Sequence, residues 1–372
     1  MKSLYVEKNE EIVDVLNKLA ADDEVKSVLL FFGGENSPSK EFLDPILQSF
    51  EKPIIGGIFP ELLFQNKRKN SGAMFLPLSK HLDTCILNLD DSIESCMTVI
   101  QKKASQKIVS SDKRSMFIFL DAFSKNKSSF IYNIYNFFGL TVNYIGAGAG
   151  TLSFESKPNI IHNTGLHQNA VVIGNFIQDM SVAVAHGWNP IDKPLKVTSA
   201  EGNIIKTLDW EPAVDVYKRV VENNSNVSFN ENNFFDIVKS YPIGMVKLDS
   251  EMVVRDTFNI KGSDIYILDE VAEGEYVSVM HGDMDTLLNG AKKVKSQLEQ
   301  KNASPKEDNY FCVDCISRVL FMGEDFKEEV EILRGDNDLD GVLSLGEIAN
   351  EGDTFLEIYN KSVVLAQWKE KN

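Results

Sequence analysis

The first half of the chain alternates short, continuously apolar runs with amphipathic stretches, and this alternation constrains the fold more than any other feature. "VKSVLLFFGG", "KPIIGGIF" and "SMFIFLDAF" are too short for buried helices and apolar at successive positions. Such runs, punctuated by glycine, read as strands buried on both faces. Between them, "NEEIVDVLNKLAADDE" places Ile12, Val15, Leu16 and Leu19 on one helical face. "SPSKEFLDPILQSF" reads as a second helix, with Ser37 as its N-cap before Pro38. "SIESCMTVIQKKASQKI" and "KSSFIYNIYNFFG" follow as helices, the latter ending at Gly139, a residue suited to a C-cap. The pattern then turns strand-rich through "AVVIGNF" and "SVAVAHGW". The expected fold class is mixed α/β, or α+β, with helices packed on mixed sheets.

A length of 372 residues suggests two domains. "NPIDKPLK" carries two prolines and no periodicity, so the boundary is expected there, giving domains 1–190 and 191–372. In the second, a hairpin is expected around Glu201-Gly202-Asn203, and strands in "MVVRDTFNI", "SDIYILDEV" and "EYVSVM". "DMDTLLNGAKKVKSQLEQ" and "EDFKEEVEILRG" read as helices, and "KNASPKEDN" as a polar linker. "YFCVDCISRVLFMG" reads as one strand, and "FLEIYNKSVVLAQW" as a closing pair.

Net charge of −17 repels phosphate backbones and anionic lipid, which disfavours nucleic-acid and membrane partners. No apolar stretch is long enough to span a bilayer, and the N-terminus lacks the apolar region of a signal peptide. Four cysteines do not make a disulfide scaffold at this length, so a reduced, cytoplasmic protein is expected.

The glycine run "GAGAGT" has the wrong spacing for a dinucleotide fingerprint, and no P-loop pattern occurs. The histidines lie in no hydrolase or metalloprotease motif, which points away from an enzyme. Cys312 and Cys315 form a C-x-x-C with no second ligand pair and read as small buried hydrophobes. "DNDLDGVLSLGE" reads as a calcium-binding EF-hand loop. Asp336, Asp338, Asp340, Ser344 and Glu347 would supply side-chain oxygens, Val342 a carbonyl, and Gly341 the sharp turn.

The second half carries a family likeness. "HGWNPIDKPLKVTSAEGNIIKTLDWEPAVDVY", "YPIGMV", "VVRD", "EGEYVSVMHGDMDTLL", "DCISRVLFMGEDFKEEVEIL", "GVLSLGEIA" and "IYNKSVVLA" occur in order. The chain resembles the FIST-domain family, with N- and C-terminal modules. "SVLLFFGG", "PIIGGIF", "YIGAGAG" and "HNTGLHQNAVVIG" carry the likeness into the first half. The resemblance implies a sensor in signal transduction that binds a small molecule or a gas and acts on a partner histidine kinase or other signalling protein. One stand-alone branch binds haem and senses nitric oxide; one histidine, His186 in "HGW" or His162, is the expected axial ligand. A non-haem, amino-acid-like metabolite is the alternative, and a scaffold with a structural calcium loop is another. Cys315 and Arg318 match the family's C-x-x-R signature. There Arg318 would clamp a ligand carboxylate or form a structural salt bridge, with Glu347 as its candidate partner. The family's own "G…GEI" strand also accounts for Gly341 and Glu347 without calcium.

Overall fold

A computed structural model of the chain describes residues 2–105, 114–225, 228–229, 233–247, 251–301, 308–350 and 355–369. Most of the expected linker 301–309 lies outside them. The apolar runs become strands as expected. Ser27–Gly33 and Ile54–Phe59 pair in parallel at the centre of a six-stranded sheet. Helices Ile12–Ala21 and Lys40–Ser49 cover one face of it through Ile12, Leu16, Leu43 and Leu47. The N-cap of the second helix is Ser39, not Ser37: its Oγ accepts the amide of Phe42 at 3.4 Å. Pro38 therefore precedes the cap rather than opening the helix.

A second sheet repeats the plan. Arg114–Asp121 and Val142–Ala149 pair in parallel, backed by helices Ile93–Ser105 and Lys127–Phe138. Gly139 closes the latter helix with φ 56°, a positive value that favours glycine. The inner faces of the two sheets meet in an aromatic core built on Phe31, Phe59, Phe117 and Phe119.

Strand pairing crosses the expected boundary at residue 190. A third sheet runs in the order Met180–Ala185, Val363–Lys369, Asp308–Cys315, Asp340–Ser344, Glu61–Phe64 and Lys67–Lys69. Glu347–Ala349 also pairs with Val142–Ala149, adding C-terminal strands to the second sheet. One face of the third sheet joins the aromatic core through Phe311 and Val342. The other packs beneath helices Met284–Lys301 and Phe326–Arg334. A fourth sheet, centred on Tyr276–His281 and Leu195–Glu201, carries helices Ala213–Asn224 and Phe234–Ser240. Among the described residues no helix is long and apolar enough to cross a membrane.

"YFCVDCISRVLFMG" is not one strand. The strand ends at Cys315, and Ile316–Met322 is a helix. Its apolar residues repeat at helical spacing, with Ile316, Val319 and Met322 buried and Leu320 exposed.

Candidate functional site

The strand-to-helix turn at Cys315 opens onto a cavity of about 580 Å³ where the two halves meet. From the first half, Leu120 and Phe123 at the end of Arg114–Asp121 line it, with Gly148, Leu152 and Phe154. From the second half come Cys315, Ile316, Leu320, Leu345 and Ile358. The lining is largely apolar, with charged groups set into it, the form expected of a small-molecule site.

Lys361 is the most constrained of those groups. It is 2% exposed and adopts φ 54°, a left-handed conformation that a non-glycine residue takes only when its surroundings impose it. Its carbonyl accepts from Trp188 Nε1 at 3.0 Å and from Arg318 Nη1 at 3.3 Å. Its ammonium lies 3.2 Å from Asp256 Oδ1 and 5.3 Å from the centre of the Trp188 ring. Asp269, 3% exposed, lies in the same wall, with Lys127 Nζ at 3.2 Å from Oδ1 and Arg255 Nη1 at 3.9 Å from Oδ2.

Arg318 lies behind this wall. It is wholly buried and donates to the carbonyls of His186, Lys361 and Leu287 and to Glu329. Asp314, near the end of the preceding strand, is 3.4 Å from its Nε. The expected pairing with Glu347 does not form: Arg318 pairs with Glu329 and Asp314, and Glu347 with Ser344 and Ser362. Arg318 is thus an internal tie between segments far apart in sequence, rather than a ligand clamp. Burial beside each other pushes Asp314 and Glu329 above the usual carboxylate range, so the three groups hold one guanidinium between two acids.

Glu347 has other partners. Ser344 Oγ donates to Oε1 at 2.8 Å, and Ser362 donates to Oε2 through Oγ at 2.9 Å and N at 3.3 Å. Burial pushes its carboxyl up to about 8. Cys312 and Cys315 are buried free thiols, raised by desolvation.

The calcium loop is not formed. Asp340–Ser344 is a strand, so Val342 faces Val313 and Leu62 across backbone ladders and its carbonyl belongs to the sheet. Asp340 accepts from Ser3 Oγ and from the Gln65 amide, while Asp336 and Asp338 are exposed. The extended backbone at positions 5 to 9 of the motif alternates its side chains, where an EF-hand loop would curl around the ion. Gly341 has a different reason to be glycine: an added Cβ would lie 2.1 Å from the Cys312 carbonyl oxygen. No group of metal-ligating side chains is found among the described residues.

Nor do the expected haem ligands fit that role. His186 is 3% exposed; its Nδ1 accepts the Trp188 amide at 2.9 Å, which leaves Nε2–H to donate to the Met252 carbonyl at 3.0 Å. His162 Nδ1 accepts the Thr164 amide at 3.2 Å, and Nε2 lies 3.3 Å from Thr84 Oγ1. Burial lowers its pKa to about 4. Both imidazoles are neutral, with both nitrogens engaged, and neither lines the cavity.

Of the residues singled out in the sequence as ligand-binding, Cys315 lines the cavity and Arg318 and Glu347 do not; Asp256 and Lys361 occur only within the runs "VVRD" and "IYNKSVVLA". Lys127, Thr257 and Asp269 carried no signal of their own.

Family models match the chain on both sides of this cavity: the FIST N domain over residues 18–211 and the FIST C domain over residues 213–350. A protein of Methanocaldococcus jannaschii, known only as uncharacterized, is 22% identical over 166 residues. That alignment covers 40% of this chain and 30% of the archaeal protein, so the chain spans about a third of its relative's length. FIST domains are signal-transduction sensor domains for small ligands. With the two modules matched in order and the cavity between them, the chain belongs to the FIST family.

Proposed function

We propose that the chain is a sensor whose ligand is a small, non-haem, amino-acid-like metabolite bound in the cavity between the modules. Lys361 carries this reading. The protein buries its ammonium, holds its backbone at φ 54° and sets it, paired with Asp256, in the wall of a largely apolar cavity. A ligand carboxylate would pair with it, and an apolar side chain would fill the space beside Phe123, Phe154 and Leu320. Binding would favour one arrangement of the modules, which a partner histidine kinase or other signalling protein would read. The reading includes no catalytic step: Cys315 in the wall has its thiol raised by burial, which makes it a poor nucleophile. A haem-dependent nitric-oxide sensor would need His186 or His162 to give up the hydrogen bond at the ring nitrogen that ligated the iron.

Thermal unfolding with a panel of aliphatic and aromatic amino acids, beside a haem titration, tests the reading. A ligand at a hundred times its Kd adds about 2.7 kcal/mol of stability. A carboxylate-bearing compound should raise Tm in the native protein and not in Lys361→Met. A Soret band abolished by His186→Ala or His162→Ala would replace this reading with the haem one. The absence of any shift across the panel would sink it.

A further inference from the structure

The cavity wall holds a second set of polar groups besides Lys361 and Asp256. Both oxygens of Asp269 are buried and accept no hydrogen bond among the described residues; Thr257 Oγ1, buried in the same wall, also lacks a partner. A buried carboxylate without hydrogen bonds is costly, and the two cations at 3.2 and 3.9 Å compensate it by charge alone. Those cations differ. Arg255 is anchored: its Nη1 donates to the Ile358 carbonyl at 2.6 Å, and Nη2 lies 3.7 Å from Glu357. Lys127 is the first residue of helix Lys127–Phe138, and 17% of its side chain is exposed. A cation at a helix N-terminus opposes the helix dipole, so the ion pair with Asp269 holds it where the helix itself does not favour it. That ion pair joins the first half to the second.

We infer that the ligand presents a primary ammonium to Asp269 and Thr257, taking the place of the Lys127 ammonium and so breaking the ion pair that ties the start of helix Lys127–Phe138 to the C-terminal half. The inference rests on the ligand reading of the junction cavity and adds the ligand's second recognised group and the ion pair it breaks. An ammonium supplies three donors, enough for the carboxylate and the threonine hydroxyl together. A third cation cannot join two around one carboxylate without repulsion, and Lys127 is the one with a path to solvent. The geometry therefore makes Lys127 an internal competitor for the ligand's amine. Its displacement converts binding into the loss of a contact between modules.

Two probes separate the two sets of groups: 2-phenylethylamine for Asp269 and 3-phenylpropionate for Lys361. Calorimetric titration of both would be run on the native chain, Lys127→Met and Asp269→Asn, with circular dichroism to confirm folding. The amine should bind roughly tenfold more tightly to Lys127→Met, as the competitor is gone, and roughly tenfold or more weakly to Asp269→Asn. Hydrogen exchange in helix 127–138 of the native chain should speed up with the amine and not with the carboxylate. Amine affinity unchanged by Lys127→Met overturns the inference, whether or not Asp269→Asn folds. If the carboxylate binds and the amine does not, the cavity reading stands and the inference falls. If neither binds, both fall.

Discussion

Replacing Glu347 by glutamine should make the protein more stable at alkaline pH. Glu347 is 0% exposed and its carboxyl titrates at about 8 in the folded chain, against 4.5 for the free side chain. Burial is the main cause, only partly offset by the donors from Ser344 and Ser362. A folded-state value above the unfolded one means that the folded protein binds more protons between them. Stability from this group is therefore fully present below 4.5 and is lost as pH rises to 8, on the order of 1 kcal/mol per pH unit. Glutamine suits the site of the protonated acid. Its carbonyl can accept from Ser362 N, and its amide can donate to Ser344 Oγ, which then turns its hydrogen to the Gly346 carbonyl at 3.1 Å. Urea unfolding of both proteins at pH 5, 6, 7 and 8 gives the difference directly. Asp314, Glu329 and Asp340, also raised by burial, remain in both proteins and largely cancel. The two should be nearly equal at pH 5 and diverge steadily to pH 8 in favour of Glu347→Gln. A difference that stays constant over that range would refute the account of Glu347 as a buried, protonated acid.

Arg318→Met should cost about 3–5 kcal/mol by urea unfolding, because it strands Asp314 and Glu329 and leaves three backbone carbonyls without this donor; a loss under about 1 kcal/mol would show that the tie is dispensable. Gly341→Ala should destabilise by about 1–3 kcal/mol, since its Cβ would strike the Cys312 carbonyl oxygen, and a thermal midpoint equal to that of the native chain would contradict this packing.

Much of the local architecture was legible in the sequence. Ile12, Val15, Leu16 and Leu19 form the buried face of their helix as their spacing requires, and Gly139 closes its helix with a positive φ. The parallel strands at 27–33 and 114–121 follow from apolar runs that have no solvent face. These features depend on neighbours a few residues away, and a sequence displays such neighbours. The calcium motif shows the limit of that legibility. Its glycine and acids satisfy a strand that approaches Cys312, Ser3 and Gln65, and those partners lie up to 337 residues away. The same holds for Arg318, which pairs with Glu329 and Asp314 rather than Glu347. The cavity is more distant still from sequence pattern: Lys127 meets Asp269, and Lys361 meets Asp256 and Trp188, only after strands from both halves have paired in one sheet. Helix and strand follow from the period of apolar residues along the chain. The identity of a buried charge's partner follows from the folded path, since desolvation forces a partner on each such charge but leaves open which segment supplies it.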